Sequence, residues 1–285
     1  MIWLFLAAAA LLLALMALMA TLYLRQSERI FRPDRETSKN PRDAGPGWER
    51  VPMNTPDGVA LDAWYKPADD PEEDRAILFL HGNSGNLSTR VETLKLYAST
   101  GLSVLAIDYR GYGRSGGHPS ESGIFTDALA AWQWLTGPAG YSPRRILVIG
   151  RSLGGPVAAW LAARTGPGAL SLESTFSSMP ELAQKLYPLL PVRILCRFHL
   201  DTRGHLAKTG CPVLVVHSPE DELIPIVHAR RLLKTAGQRG RFHGVTGPHA
   251  AVSTGAPGHY LRGLRRFIDD VLPARRRVDR AEAAS

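Results

Sequence analysis

Ser152 stands at the centre of Gly150-Arg151-Ser152-Leu153-Gly154, a G-x-S-x-G pentapeptide. A serine hydroxyl is a poor nucleophile until a base takes its proton, and the base needs a third group to hold its tautomer. Both kinds of residue follow in the chain. Three carboxylates crowd His217-Ser218-Pro219-Glu220-Asp221-Glu222-Leu223-Ile224-Pro225. Asp221 is the expected acid, because it falls after a strand end and before the Leu-Ile-Pro entry to the next helix. Glu220 and Glu222 are its rivals and read as solvated loop charges. Three histidines lie near the C-terminus. His243 is inside a strand-like run, and His259 is among the residues that open the last helix. His249 sits in the loop Gly247-Pro248-His249-Ala250 just past the strand, from which a side chain can reach Ser152, so it is the expected base. The order Ser, acid, His is the one a nucleophile on a strand-to-helix turn requires.

Acyl transfer also needs two preorganised N–H donors for the developing oxyanion. The backbone N–H of Leu153, at the start of a helix, is one. The second is expected from the loop His81-Gly82-Asn83-Ser84-Gly85-Asn86, at the backbone N–H of Asn83. His81 and Gly82 are read as shaping that loop. Asp108 also ends a strand, but it precedes Ser152 and reads as a brace for Arg110–Ser115. The remaining histidines (118, 199, 205, 217 and 228) show no H-E-x-x-H or comparable spacing, so no metal is expected.

These residues can meet only if the chain holds them at the ends of neighbouring elements. Ile146 to Ile149 is a short apolar run typical of a buried parallel strand, and the Ala-rich Val157 to Ala163 reads as a helix. Strand, sharp turn and helix make the context of a nucleophile elbow, in which Gly150, Gly154 and Gly155 give the room that side chains would fill. Further strand-like runs lie at Ala76–Leu80, Val104–Ile107, Ala169–Leu172, Val213–Val216 and near Phe242–Val245. Trp48–Tyr65 offers a hairpin around Thr55-Pro56-Asp57-Gly58. Alternation with helical segments, such as Ile124–Leu135, predicts an α/β fold: a mostly parallel sheet with helices on both faces. One long connection, 175–210, carries Leu182, Leu186, Leu189 and Leu190 at roughly helical spacing. It is expected above the strand ends, as a small cap, a structural excursion, or both.

The 285 residues suffice for one large α/β domain, and the 45% apolar share supplies its core. Cys196 and Cys211 are read as separate thiols. The net charge of +8 is spread along the chain without a nucleic-acid motif, so a membrane surface is the better partner. Residues 1–24 carry no charged side chain, and twenty-three helical residues span roughly 34 Å against a hydrocarbon core of about 30 Å. An uncleaved single-pass anchor is expected. Arg25, Arg29, Arg32, Arg35 and Lys39 follow it, which places the domain in the cytoplasm by the positive-inside rule; export would place it on the other side. Residues 25–47 read as a juxtamembrane linker, 48–272 as the folded domain, and 273–285 as a basic, disordered tail.

The set HGNSGN at 81–86, DYRGYGRSGG at 108–117, GRSLGG at 150–155, LESTFSS at 172–178 and HSPEDELIP at 217–225 resembles the α/β-hydrolase superfamily over 48–271. It is most similar to the membrane-anchored α/β-hydrolase-domain proteins, which include protein depalmitoylases and are often labelled serine-aminopeptidase-like. The resemblance implies Ser152, Asp221 and His249 as a triad and Asn83 with Leu153 as oxyanion donors. It also implies hydrolysis of an ester, thioester or amide without a cofactor. The expected substrate is a small molecule, a lipid or an acylated protein. The alternatives are a peptidase releasing N-terminal residues and a non-catalytic scaffold.

Overall fold

The computed structural model describes residues 1–274. Unbroken apolar runs are stable as strands only where both faces are covered, and here they form the middle of one eight-stranded sheet. Its strands are β1 (Glu49–Asn54), β2 (Ala60–Lys66), β3 (Ala76–Leu80), β4 (Ser103–Ile107), β5 (Ile146–Arg151), β6 (Ala169–Glu173), β7 (Val213–His217) and β8 (Gly240–Gly244). They lie in the order β8-β7-β6-β5-β3-β4-β2-β1. The hairpin β1–β2 and the pair β2–β4 are antiparallel; every other pairing is parallel. The expected α/β sheet is therefore present, with its hairpin at one edge. The last strand starts earlier than the apolar pattern suggested, because edge pairing with β7 recruits the polar Gly240 and Arg241.

Helices cover both faces. The helices α3 (Glu121–Thr136), α4 (Gly154–Thr165) and α6 (Val227–Ala236) pack on one side, through Ile124, Leu135, Val157, Leu161 and Leu232. On the other side α2 (Val91–Ala98) and α7 (Pro257–Val271) bring Leu94, Tyr97, Tyr260, Leu264 and Phe267 against the sheet. Strand β4 lies on one side of β3 and β5 on the other, so the order reverses there, and ligands bind beyond the carboxyl ends at such a point.

The N-terminal helix α1 (Ile2–Leu24) has none of its residues buried and a mean hydropathy of 2.6 over its most apolar window. By length and composition it can cross a membrane. The following segment, expected as a juxtamembrane linker, is docked on the folded domain. Phe31 is buried against Phe198, Arg32–Pro33 pairs with Ser84–Gly85, and the Asn86 amide donates to Asp34 O at 3.0 Å and Glu36 O at 2.7 Å. Satisfied backbone groups and one buried ring dock it on the loop that follows β3. The expected cap, 175–210, divides into two uses. Its first half, including α5 (Met179–Leu186), lies over the strand ends, whereas Leu200 and Leu206 sink into the core. The expected disordered tail lies, from residue 275 onward, outside the described residues.

His228 on α6 is buried, and its Nδ1 accepts the Ser177 N–H at 3.2 Å. Burial, reinforced by Arg231, pulls its pKa from 6.5 to about 4. A ring that binds its proton less well when folded contributes stability that is complete above 6.5 and is lost as the pH falls toward 4. The thermal midpoint of His228→Gln should therefore fall less steeply than that of the wild type over this window. Parallel slopes in calorimetry would contradict this.

Candidate active site

The turn after β5 puts Ser152 at φ +52°, in the left-handed region that side chains avoid. Such strain persists only where the surroundings hold it. The Ser152 N–H donates to Glu173 O at 2.9 Å, and its carbonyl accepts from the Thr175 hydroxyl at 2.7 Å and from the Gly155 N–H at 3.0 Å. Strand and helix approach so closely that a Cβ at Gly150 would overlap the Gly154 carbonyl, and one at Gly154 would overlap that of Leu80. Only glycine fits there.

Beyond β8, His249 reaches back across the sheet. Its Nε2 lies 3.1 Å from Ser152 Oγ, and its Nδ1 lies 2.8 Å from Asp221 Oδ2. The Asp221 side chain is fully buried. Its Oδ1 accepts the N–H groups of Leu223 at 3.0 Å and Ile224 at 2.8 Å. Burial by itself would raise its pKa, but the bonds from His249 and Ile224 outweigh burial and hold the carboxyl below its ordinary value. The structure thus brings together the three residues singled out in the sequence. His243 and His259 instead stack on each other, with ring centroids 4.6 Å apart, and turn their Nε2 atoms to backbone carbonyls.

The two rival carboxylates have a use the sequence did not disclose. Glu220 accepts the Gly247 N–H at 2.8 Å and Glu222 accepts that of His249 at 2.9 Å, so together they pin the histidine loop. This last bond holds the Glu222 carboxyl below its ordinary pKa. Contacts between loops distant in the chain leave no local pattern to read.

Arg151 grips the same loop from beneath. Its guanidinium donates to Ala250 O at 2.5 Å, His249 O at 3.3 Å and Ser253 Oγ at 3.3 Å. Register pairs it with Glu173 on β6, a fully buried carboxyl that accepts from Tyr260 at 2.5 Å and Tyr97 at 3.2 Å. Burial raises the pKa of Glu173. Loosening the loop by Arg151→Met should lower kcat on the order of 10²-fold, as misplacement by about 1 Å does, with Arg151→Lys intermediate. Steady-state kinetics and the rate of Ser152 labelling by a fluorophosphonate test this. An unchanged kcat in Arg151→Met would show the grip to be dispensable.

The loop after β3 stands against the same serine: a Cβ at Gly82 would lie 3.3 Å from that of Ser152. His81 is buried between Tyr109 and Tyr112, with Nε2 3.1 Å from Asp108 Oδ1. Its Nδ1 donates to Gly82 O at 2.6 Å. In a planar trans peptide this fixes the opposite-facing N–H, which belongs to Asn83. Asn83 lines the cavity that holds Ser152 and His249. Leu153 stands at the N-terminal boundary of α4, where backbone N–H groups lack intrahelical acceptors. The Asp108 carboxylate accepts the Leu87 N–H at 2.9 Å and so braces the segment after β3, whereas Arg110–Ser115 is tied to Asp108 through its backbone carbonyl, which accepts from the Ser115 hydroxyl at 2.7 Å.

The cavity measures about 560 Å³ and runs from Ser152 beneath Met179, Leu182, Leu186 and Leu190 to Leu22 and Ile30. A mostly apolar trough, with Asn83, Ser152 and His249 at one end and Gln26, Arg29 and Arg32 near the other, suits an acyl chain whose carbonyl reaches Ser152. Among the described residues no group of three or more His, Cys, Asp or Glu side chains is arranged to hold a metal ion.

Residues 75–191 match the family model described as the alpha/beta hydrolase fold. The uncharacterized protein Rv2307c of Mycobacterium tuberculosis is 36% identical over 239 residues, which are 82% of this chain and 85% of that protein. The lysophosphatidylserine lipase ABHD12 of Danio rerio is 34% identical over 69% of this chain and 56% of its own length. Among solved structures, the Pyrococcus furiosus esterase Pf2001 superposes with a TM-score of 0.71 at 19% identity, over 84% of this chain and 99% of that one. The alpha/beta hydrolase domain-containing protein WAV2 of Arabidopsis thaliana is 30% identical over 81% of this chain and 82% of its own length, and with the matching family model it shows that the chain belongs to the α/β-hydrolase family.

Proposed function

We propose that the protein is a serine hydrolase that cleaves an acyl ester or thioester through an acyl-enzyme, with Ser152, His249 and Asp221 as the triad. The observation that carries this reading is the unbroken relay of 3.1 Å and 2.8 Å from Ser152 Oγ through the His249 ring to a buried Asp221 carboxylate. Ser152 Oγ attacks the substrate carbonyl carbon while His249 Nε2 takes its proton. The charge that develops on the carbonyl oxygen is met by the N–H groups of Leu153 and Asn83, each worth about 2.7–4 kcal/mol. Collapse breaks the bond to the leaving group, which departs with the proton from His249. Water then attacks the acyl-enzyme as His249 takes its proton; collapse breaks the bond to Ser152 Oγ, which receives that proton from His249, and the carboxylic acid leaves. Asp221 holds the ring in the productive tautomer and stabilises the imidazolium.

An acyl-lipid substrate is favoured by the apolar trough and by the relative that acts as a lysophosphatidylserine lipase. Residues 48–272 form the hydrolase domain in this reading. α1 is its single-pass anchor, and the arginines after it keep the domain cytoplasmic. A fluorophosphonate probe on the full chain tests the chemistry: covalent labelling at Ser152 is expected, and an unlabelled wild type would refute it. Protease protection of intact cells tests the topology.

A further inference from the structure

The rim of the cavity is built from two distant parts of the chain. One side is the end of α1 and the turn Gln26–Ile30; the other is the cap segment from Leu186 to Arg197. Gln26 ties them together. Its amide nitrogen donates to Leu195 O at 2.6 Å, and its Oε1 accepts the Arg197 N–H at 2.8 Å. The Arg197 guanidinium lies over the Tyr23 ring, 5.1 Å from its centroid. Leu22, Leu190, Val192 and Leu195 line the same cavity as Ser152.

Four apolar side chains of this segment face outward, on either side of Pro191 and Val192 and with one arginine, Arg193, among them in the sequence. Residues 186–192 read LYPLLPV, with no charge. Leu189 is 95% exposed and Ile194 83% exposed, and Leu186 and Tyr187 are also exposed. Single exposed apolar residues are ordinary, but four within nine positions mark a surface with a partner. Continuity decides which partner. The segment is hydrogen-bonded to Gln26, two residues past a helix that is itself apolar on all sides, and its Arg197 lies over Tyr23 in the last turn of that helix. Arg25, Arg29 and Arg32 follow on one rim and Arg197 stands on the other, at the height where lipid phosphates meet such a helix.

We propose that residues 186–194 lie in the membrane interface beside α1, and that the acyl substrate enters the cavity from the bilayer, between this segment and the end of α1. Cap and anchor thus form one lipid-facing mouth. The rim is amphipathic: an acyl chain drawn from lipid can pass along Leu22, Leu186 and Leu190 toward Ser152 while a polar headgroup stays beside Arg29 and Arg32. The inference rests on the serine-hydrolase reading and on α1 being in the bilayer, and its test separates the three.

The experiment uses the full chain in vesicles of phosphatidylcholine and phosphatidylglycerol. Carbonate-resistant retention of the wild type reports on α1, and fluorophosphonate labelling on Ser152. With both present, a Leu189→Asp/Ile194→Asp variant should keep hydrolysis of p-nitrophenyl acetate within about twofold, while turnover of a long-chain fluorogenic ester in the vesicles falls about tenfold or more. Equal turnover of the embedded ester by variant and wild type would overturn the proposal. A second measurement covers a variant that fails to fold. A fluorophore at Leu189→Cys, with Cys196→Ser and the buried Cys211 left in place, should be quenched by doxyl-phosphatidylcholine in the bilayer. Quenching by aqueous iodide alone, or shielding by a second copy with no doxyl quenching, would overturn it.

Discussion

Ser152→Ala is expected to lower kcat by about a millionfold, to the residual rate that binding and oxyanion donors sustain without a nucleophile. The expectation follows from geometry rather than from the pentapeptide alone. The hydroxyl is the one group at the elbow that both touches His249 and stands beside Leu153 and the Asn83 loop. Alanine at φ +52° is no more strained than serine, so the fold should survive with an unchanged melting curve. Hydrolysis of p-nitrophenyl esters and fluorophosphonate labelling read the loss. A variant that keeps more than about a thousandth of wild-type turnover would move the nucleophile elsewhere or replace covalent catalysis by a base-activated water.

Asp221→Asn should cost about 10⁴-fold in kcat, with substrate affinity little changed. Asparagine keeps the shape but not the charge, and it can turn an N–H toward Nδ1 of His249, which favours the tautomer that cannot accept the serine proton. The amide oxygen can still accept the two backbone N–H groups now on Oδ1, but a neutral acceptor holds them more weakly than a carboxylate does, so a modest fall in stability should accompany the kinetic loss. The neighbouring carboxylates provide the control. Glu220 and Glu222 accept backbone N–H groups of the histidine loop and are exposed. Their glutamine variants can still accept those bonds and should lose far less activity than Asp221→Asn. A Glu222→Gln effect as large as that of Asp221→Asn would mean that the acid had been assigned to the wrong side chain.

A cavity rim in which residues 186–197 are tied to Gln26, just past α1, constrains these assays. Short soluble esters report on the triad, whereas long-chain esters report on the triad and on delivery. The two substrate classes should be run side by side for every variant near residues 186–197.

Much of this was legible in the chain. Hydrophobic runs of four or five residues determine buried parallel strands, because nothing else covers them on both faces, and Ala76–Leu80, Ile146–Ile149 and Val213–Val216 all lie in the sheet. Glycines at 150 and 154 announced a close approach of strand and helix, and the order of Ser152, Asp221 and His249 followed from the ends of consecutive elements. Strand ends are local events, so residue type and spacing suffice to find them. Only the tertiary structure decided how the histidine loop is held. Arg151, Glu220 and Glu222 act on it through backbone carbonyls and amides 27 to 99 residues away, and a backbone partner carries no side-chain signature. For the same reason the docking of residues 25–47, which read as a polar juxtamembrane linker, left no sign in the sequence: Phe31 and the carbonyls of Asp34 and Glu36 find partners that only folding supplies. Long-range pairing with the backbone, rather than the pattern of side chains, fixes where the segment after the N-terminal helix meets the site.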